Sequence, residues 1–161
     1  MNVIFRAFEE NDWVEVRDLH CSSFAHLAAA HYTVEQIRAV ERMIQDPGYR
    51  DELRESNLQL AVVGAVIVGS AGWCQPDPGR ARIRKVFVAR EQAGKGLGRM
   101  LMEHVEGYIH SAGIRDLVVR ATMNAVHFYE RLDFHKVRLD TMTSSDGVQV
   151  PVTMMRKTLI G

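Results

Sequence analysis

The stretch VFVAREQAGKGLGRMLMEHVEGY, residues 86–108, joins a strand-like apolar run to a helix-like pattern through three glycines at alternate positions. A helix is predicted over residues 96–112, and the apolar positions that recur at helical spacing are Leu97, Leu101, Val105, Tyr108 and Ile109. The first amides of a helix have no partner within it, and that end carries a partial positive charge. A strand, an anion-binding turn and a helix are therefore expected here.

The spacing of the glycines narrows the type of anion. Gly94, Gly96 and Gly98 form the pattern GxGxG, whereas a P-loop requires GxxxxGK[ST] and a dinucleotide-binding turn requires GxGxxG. Lys95 and Arg99 add positive charge to the turn. Taken alone, the glycines leave two interpretations open, a phosphate-binding loop and a tight connection between a strand and a helix.

The N-terminal third of the chain predicts one strand followed by helices. NVIFRAF, residues 2–8, alternates as a strand does. The segment DWVE, residues 12–15, predicts a capping box for helical structure that extends to about residue 29. A second capping box is predicted at residues 33–36, and the pair Pro47-Gly48 is expected to end that helix.

The rest of the chain predicts strands with two further helices. The expected strands are LQLAVV and VIVGSAGW around Gly64-Ala65, then ARIRKVFVA, DLVVRA, FHKVRLD and VPVTMMRKTLI, with QPDPGR as a loop. A last helix is expected over residues 123–132. The order β-α-α-β-β-β-α-β-α-β-β implies an α/β fold of the mixed α+β kind, with helices on both faces of one sheet. We expect residues 1–161 to form a single domain.

Composition narrows the class of protein. The 20 basic and 20 acidic residues cancel, so no overall charge attracts nucleic acid or an anionic membrane. The basic stripe at residues 80–85 lacks interleaved aromatic residues, which favours a solvated strand face over nucleic-acid binding. Cys21 and Cys74 match no metal-ligand pattern, and no apolar run reaches the roughly 18 residues of a membrane span. We expect a cytoplasmic protein without a metal, a nucleic-acid partner or a membrane anchor.

Two segments at a fixed separation resemble the GNAT superfamily of acyl-CoA-dependent N-acetyltransferases. They are IRKVFVAREQAGKGLGRMLMEHVEGYI and DLVVRATMNAVHFYERLDFHKV. The family pattern is a strand ending in apolar-x-Val, a turn [RQ]xxGx[GA], a helix, and later an Asn followed by a phrase like FYExxGF. The match spans about residues 80–137, and the order of elements over residues 1–160 agrees. The resemblance implies a central, largely antiparallel, splayed sheet and acetyl transfer from acetyl-CoA to a primary amine.

The resemblance also implies which residues hold acetyl-CoA. The backbone of the turn would bind the pyrophosphate, at Ala93, Gly94, Lys95, Gly96, Leu97, Gly98 and Arg99. The extended pantetheine arm would pair with the preceding strand end, at Val86, Phe87 and Val88, like an added strand. Asn124 would bond that arm or a nearby water, although Asn is also a common helix N-cap.

Tyr129 is the catalytic residue that the resemblance implies, with its hydroxyl near the sulfur of the cosubstrate. A thiol has a reference pKa of about 8.5 and tyrosine one of about 10, so a hydrogen bond to the leaving sulfur precedes any full proton transfer. The alternative is that Tyr129 only packs in the core beside Phe128. By the same resemblance, the backbone N–H of Val88 would face the developing oxyanion.

The chain departs from the family pattern at two positions. Ala93 stands where Arg or Gln is usual, with Gln92 displaced by one, and this predicts weaker cofactor binding rather than its loss. Asp133 stands where a glycine is usual, and aspartate is among the residues that best tolerate a positive φ.

The general base and the acceptor stay open. The strand before the turn carries no acid, and the candidates in the N-terminal helices are His20, His26, His31, Tyr32 and Glu35, with a water relay as an equal alternative. Each of these residues can equally be an ordinary packing or surface residue. We expect a small-molecule amine acceptor and direct transfer in a ternary complex. The alternatives are a protein lysine or N-terminus as acceptor, or a non-catalytic acyl-CoA-binding module. A homodimer is compatible with such folds, with VPVTMMRKTLI as its candidate interface strand.

Overall fold

The computed structural model describes residues 2–161 as one mixed sheet with helices packed on it. The strands are β1 (Val3–Ala7), β2 (Gln59–Val63), β3 (Val66–Asp77), β4 (Arg80–Val88), β5 (Asp116–Thr122), β6 (His135–Thr143) and β7 (Gln149–Thr158). The helices are α1 (Trp13–Ala28), α2 (Val34–Gln45), α3 (Pro47–Arg54), α4 (Leu97–Ser111) and α5 (Val126–Glu130). The fold class expected from the sequence is confirmed.

The sheet has the strand order β1-β2-β3-β4-β5-β7-β6, and the β4–β5 pair is parallel while the other neighbours are antiparallel. Side chains alternate between the two faces along β2. Leu60 and Val62 pack in a core with α1, α2 and α3, whereas Ala61 packs in a second core with α4. Helices therefore cover both faces of the sheet, as expected.

The sheet opens between its two parallel strands. Pairing of β4 with β5 runs from Arg80 opposite Asp116 to Ile83 opposite Val119. Beyond that point β4 continues to Val88 and β5 to Thr122 without pairing to each other. The result is a gap, with one strand end on each side, that opens toward the start of α4. This is the splay that the sequence resemblance implied.

The expected end of the preceding helix at Pro47-Gly48 is confirmed, since α2 stops at Gln45, but Pro47 also begins α3, a helix that was not predicted. The side chain of Asp46 accepts a hydrogen bond of 2.8 Å from the Gly48 N–H and caps this helix. Proline is favoured in the first turn, where its missing N–H would have no partner in any case. A short helix of this kind leaves little periodic signal, so the sequence did not reveal it.

One of the two predicted capping boxes is wrong and the other is confirmed. Asp12 is the N-cap residue of α1, as expected, but its carboxylate makes no capping bond there and instead accepts from the N–H of Glu9 at 2.8 Å, across the 3-10 turn before the helix. Glu15 instead reaches β3 and accepts from a backbone N–H there. At α2, Thr33 and Gln36 exchange side-chain bonds with each other's N–H groups at 3.1 and 2.9 Å.

Some details of the strands and of α4 differ from expectation. The predicted loop at residues 75–80 is shorter, because β3 extends to Asp77 and β4 begins at Arg80. Tyr108, expected to face inward, is 52% exposed on α4. Strand β7 lies between β5 and β6 and therefore has no free backbone edge to offer a second copy of the chain.

Gly72 allows α3 to end close against β3. A Cβ at Gly72 would collide with the carbonyl oxygen of Ser56, just beyond α3. That oxygen also accepts a 2.6 Å hydrogen bond from the N–H of Trp73. A backbone atom cannot move away as the end of a flexible side chain can, so glycine is required at this position.

Replacing Gly72 by alanine should lower the free energy of unfolding by about 2 kcal/mol, as overpacking of a buried site does. The matched control is Gly107→Ala on α4, where no atom lies within 4 Å of the added Cβ. That change should raise stability by about 0.5–1 kcal/mol, because alanine is the better helix former. Urea unfolding of both variants tests this pair, and equal effects would contradict it.

Candidate active site

The turn before α4 presents unpaired amide groups. Gly94 and Gly96 have φ of +77° and +84°, and nothing lies within 4 Å of a Cβ added at either position. These two residues are therefore glycine because the backbone is left-handed there. Among the described residues no acceptor bonds the N–H groups of Gly94, Gly96, Leu97, Gly98 and Arg99. The start of α4 therefore has the unpaired amides that an anion-binding turn requires.

Gly98 has a different reason for lacking a side chain. A Cβ at Gly98 would lie 2.7 Å from the Phe128 Cε1, so the ring of α5 rests against the first turn of α4. The Arg99 guanidinium donates a 3.0 Å hydrogen bond to the carbonyl oxygen of Arg131, just after α5. These two contacts bring the glycine turn and the FYE helix together. Their proximity in space is what the two separate sequence segments implied.

The end of β4 is shaped by a bulge. Ser70 pairs with Phe87 and Gly72 pairs with Arg84, so two residues of β4 oppose one residue of β3. The extra residue is Lys85, whose φ of +60° is uncommon for a residue with a side chain. The strand is regular again after the bulge, and the position of its extra residue marks where β4 leaves β5.

The peptide groups at the end of β4 point to both sides of the strand. Ala89 donates its N–H to the carbonyl oxygen of Val68 on β3 at 2.8 Å. Because successive N–H groups of a strand alternate in direction, the N–H of Val88 points away from β3 and into the gap. The Val88 carbonyl oxygen accepts a 2.8 Å bond from the Ser23 hydroxyl of α1. The Val88 N–H has no strand partner on its side, which fits the role predicted for it.

Asn124 is not a helix cap. It lies in a 3-10 turn, and the cap position of α5 is Ala125, which makes no side-chain capping bond. The Asn124 Oδ1 is buried and has no hydrogen-bond partner among residues 2–161. A buried acceptor without a donor is costly, so this oxygen is suited to bond a ligand N–H.

The ring of Tyr129 packs in the core beside Phe128, which was one of the two interpretations that the sequence left open. Its ring packs edge to face with Phe128 and Phe134, at centroid distances of 5.1 and 5.3 Å, and 5% of the residue is exposed. Its hydroxyl has no hydrogen-bond partner in the described part of the chain. Burial raises the pKa of Tyr129 well above that of a free tyrosine. The hydroxyl therefore stays protonated and is available as a hydrogen-bond donor.

The candidate bases fall into two groups. His20 is fully buried with both ring nitrogens bonded, and the Tyr32 hydroxyl donates to the Pro151 carbonyl and accepts from the Met123 N–H. Both residues are therefore engaged in the interior. The exposed candidates are His26, His31 and Glu35. No member of the set is marked as a base by its surroundings.

A carboxylate that the sequence did not indicate lies beside β4. Glu52 Oε1, on the unpredicted helix α3, accepts from Arg84 Nη2 and Lys85 Nζ, both at 2.9 Å. Arg84 is thereby paired with Glu52, whereas the cations Arg90, Lys95 and Arg99, in and just before the glycine turn, are exposed. The sequence could not have shown this, since Glu52 is more than thirty residues from its partners.

The departures from the family pattern have visible structural consequences. Asp133 has a φ of +71°, so the expected need for a left-handed backbone at this position is confirmed. Gln92, next to the exposed Ala93, has a buried Oε1 without a partner among the described residues. A second unsatisfied acceptor thus lies beside the turn, one residue before the position where the family has Arg or Gln.

Two cavities of the described chain lie away from the glycine turn and Tyr129. One of about 710 Å³ is lined by residues of α3, the ends of β1 and β2, and Tyr108, and one of about 220 Å³ includes Arg82 and Val118. Neither touches the glycine turn or Tyr129. Within residues 2–161 no three metal-ligand side chains come together, and no helix there is long and apolar enough to cross a bilayer.

The burial of His20 predicts a dependence of stability on pH. Burial, and next the nearby Lys85 ammonium, hold the pKa of His20 well below its usual value. Below about pH 6.5 the unfolded chain therefore binds a proton that the folded chain does not, and stability should fall by up to about 1.4 kcal/mol per pH unit. His20→Gln should flatten this slope between about pH 6.5 and 5 in urea unfolding. The comparison variant is His104→Gln, because burial also lowers the pKa of His104. If the free energy of unfolding of His20→Gln depended on pH as steeply as that of the wild type, the prediction would be contradicted.

Solved structures of similar shape are N-acetyltransferases by name. A GCN5-related N-acetyltransferase from Rhodopseudomonas palustris superposes with a TM-score of 0.88 at 22% identity, over 99% of this chain and 97% of that chain. The PaiA N-acetyltransferase from Thermoplasma acidophilum, in complex with coenzyme A, gives a TM-score of 0.78 at 15% identity, over 99% and 100%. An aminoglycoside 6′-N-acetyltransferase complexed with coenzyme A gives 0.63 at 19% identity, over 98% of each chain. These identities establish similarity of fold.

The family itself is established by the sequence profile of the Acetyltransferase (GNAT) domain, which matches residues 28–159. This match includes the splayed strands β4 and β5, the glycine turn, and the helix that carries Tyr129. The chain belongs to the GNAT family of acetyltransferases.

Proposed function

We propose that this acetyltransferase moves an acetyl group from acetyl-CoA to the primary amine of a small molecule, by direct transfer within a ternary complex. The observation that carries the proposal is the gap between β4 and β5, which leads to the unpaired amides at the start of α4. An extended arm with amide groups, ending in a diphosphate, matches a strand edge followed by an anion-binding helix start.

The residues present fit coenzyme A. Its diphosphate would take the unpaired amides of Gly94 and of residues 96–99, with the Lys95 side chain as the nearby cation. Its arm would take the strand end from Val86 to Val88, in the place that β5 leaves free. The buried Oδ1 of Asn124 needs a donor, and the amide N–H groups of the arm are donors of the right kind.

The cosubstrate supplies an acetyl group already activated as a thioester. In the transfer, the amine nitrogen forms a bond to the acetyl carbon, the carbon–sulfur bond breaks, one amine proton is released, and the sulfur leaves as a thiolate that is then protonated. The Val88 N–H faces the side where negative charge develops on the carbonyl oxygen. Tyr129 donates a hydrogen bond to the leaving sulfur, and its raised pKa favours this role over complete proton transfer.

A small amine as acceptor is supported by analogy with the aminoglycoside 6′-N-acetyltransferase, a protein of the same fold. A non-catalytic acyl-CoA-binding module is the second candidate, and the exposed Ala93 in place of Arg or Gln favours it. Incubation of the protein with acetyl-CoA and a panel of amines, including a lysine peptide, distinguishes the candidates by release of free thiol. Tight coenzyme A binding without thiol release from any amine would favour the module over the enzyme.

Replacement of Tyr129 by phenylalanine should lower kcat by about 10- to 100-fold, the effect of losing one hydrogen bond to a charged group. The dissociation constant for coenzyme A should stay within about twofold, because the ring keeps its packing against Phe128 and Phe134. Thiol-release kinetics and calorimetry measure the two effects. A variant with the wild-type kcat would exclude Tyr129 as a catalytic residue.

Replacement of Asn124 by leucine should weaken coenzyme A binding by about fivefold to tenfold without lowering the stability of the free protein. The reason is that the variant removes a buried acceptor that has no partner until a ligand binds. The control is Asn57→Ala between α3 and β2, because Asn57 donates to the Trp73 carbonyl at 3.0 Å and has a φ of +42°. This control should lose about 1–2 kcal/mol of stability and keep its coenzyme affinity. The same pattern in both variants would rule out a ligand role for Asn124.

A further inference from the structure

A chain of hydrogen bonds runs from α3 through α1 and β3 to the bulge of β4. The Tyr49 hydroxyl lies 2.7 Å from His20 Nδ1, and His20 Nε2 lies 2.8 Å from Ser70 Oγ. The Ser70 hydroxyl in turn donates to the carbonyl oxygen of Lys85 at 2.7 Å. This chain of three long-range hydrogen bonds therefore ends at Lys85, the residue of β4 that has a positive φ.

The direction of every bond in this chain is determined. A carbonyl oxygen only accepts, so the Ser70 proton goes to Lys85, and Ser70 Oγ must accept from His20 Nε2–H. A neutral His20 with its proton on Nε2 then accepts at Nδ1 from the Tyr49 hydroxyl. Burial and Lys85 lower the pKa of His20 and favour this neutral form. One tautomer of His20 therefore satisfies every group in the chain.

This chain orients the peptide group between Lys85 and Val86. In a trans peptide the C=O and the N–H point in opposite directions. Since the Lys85 carbonyl is turned toward Ser70 on β3, the Val86 N–H points away from β3, to the side where β5 no longer pairs with β4. The bulge thus directs a second backbone donor into the gap, two residues before Val88.

We infer that His20 and Ser70 are positioning residues of the acyl-transfer site, which hold the Lys85–Val86 peptide so that the Val86 N–H faces the bound acyl donor. The inference rests on the proposed function, because the gap is where acetyl-CoA would lie. It assigns His20 a role other than that of the general base considered from the sequence.

Two further contacts show that α1 holds this strand end as a unit. The His20 ring stacks on Phe87 with centroids 4.0 Å apart and 24° between the planes. One turn further along α1, the Ser23 hydroxyl bonds the Val88 carbonyl. The charged groups that face the chain are Lys85, whose Nζ lies 4.1 Å from the centre of the Tyr49 ring, and Glu52, which pairs with it. The end of β4 is therefore anchored from α1 and α3, while the N–H groups of Val86 and Val88 have no strand partner.

The experiment compares Ser70→Ala with Ser56→Ala. Both serines are fully buried and both hydroxyls donate to a backbone carbonyl, but Ser56 bonds Glu52 on α3 rather than β4. We expect Ser70→Ala to lower kcat by about tenfold or more, as a misplaced site group does, with the KM for the amine within about twofold. Ser56→Ala should leave kcat unchanged. Equal kcat in the two variants would overturn the inference.

A second pair of variants separates positioning from packing. Glutamine at position 20 keeps an N–H donor for Ser70, whereas leucine removes it, so His20→Gln should retain more of the wild-type kcat than His20→Leu. Equal losses of kcat in both would mean that His20 acts only by filling space, and would also overturn the inference.

A measurement without turnover keeps this inference separate from the proposed function. In amide NMR spectra, Ser70→Ala should shift the Val86 resonance, because the peptide that carries this N–H loses its bond to Ser70, whereas Ser56→Ala should not. If wild-type protein acetylates no amine, the proposed function fails while this spectrum still decides whether the chain positions the peptide. An unmoved Val86 resonance in Ser70→Ala would refute the positioning role whatever the activity.

Discussion

The end of pairing between β4 and β5, after Ile83 and Val119, is the constraint on which the site depends. Parallel neighbours in a sheet normally satisfy each other's peptide groups along their whole length. Here the strands separate, and the peptide groups of residues 84–88 lose their partners on one side. Such unpaired groups require a ligand, water or another chain, and an extended ligand with amide groups satisfies them best. The gap is therefore both a cost to the fold and the basis of the proposed coenzyme binding.

Two helices border the gap, since α4 begins beside it and α5 packs against the first turn of α4. The first amides of α4 lie where the gap opens, and α5 is held against the same turn by the contact of Phe128 with Gly98. The bond from Arg99 to the Arg131 carbonyl holds the end of α5 to α4. The contact of Phe128 places α5, which carries Tyr129, against the glycine turn, and the buried Oδ1 of Asn124 just before α5 has no partner among the described residues. Polar groups left without partners in this way mark a site where a ligand completes the hydrogen bonding.

The side of β4 that faces β3 differs from the gap, because peptide groups there have hydrogen-bond partners. On the side of β3, the Lys85 carbonyl accepts from the Ser70 hydroxyl and the Ala89 N–H donates to the Val68 carbonyl, and Glu52 pairs with Arg84 and Lys85. On the other side, the Val88 carbonyl accepts from the Ser23 hydroxyl of α1, and the N–H groups of Val86 and Val88 have no strand partner. A rigid, fully bonded support for a small number of open donors is the arrangement that stabilises developing charge without reorganisation.

The sequence by itself determined the features that depend on local spacing. The glycine turn, the helix after it and the capping box of α2 follow from residues within a few positions of each other, and the mixed sheet follows from the order of these elements along the chain. The family resemblance was readable for the same reason, because its two segments are each continuous. What only the tertiary structure decided are contacts between distant residues: Phe128 on Gly98, Ser70 between His20 and Lys85, and Glu52 beside β4. From the sequence, His20 was one of several candidate bases. The structure buries its ring and bonds both of its nitrogens, which favours a positioning role, and this burial depends on which helix covers which strand. Local patterns report neighbours along the chain, whereas the partner of a buried polar group is set by the packing of the whole fold.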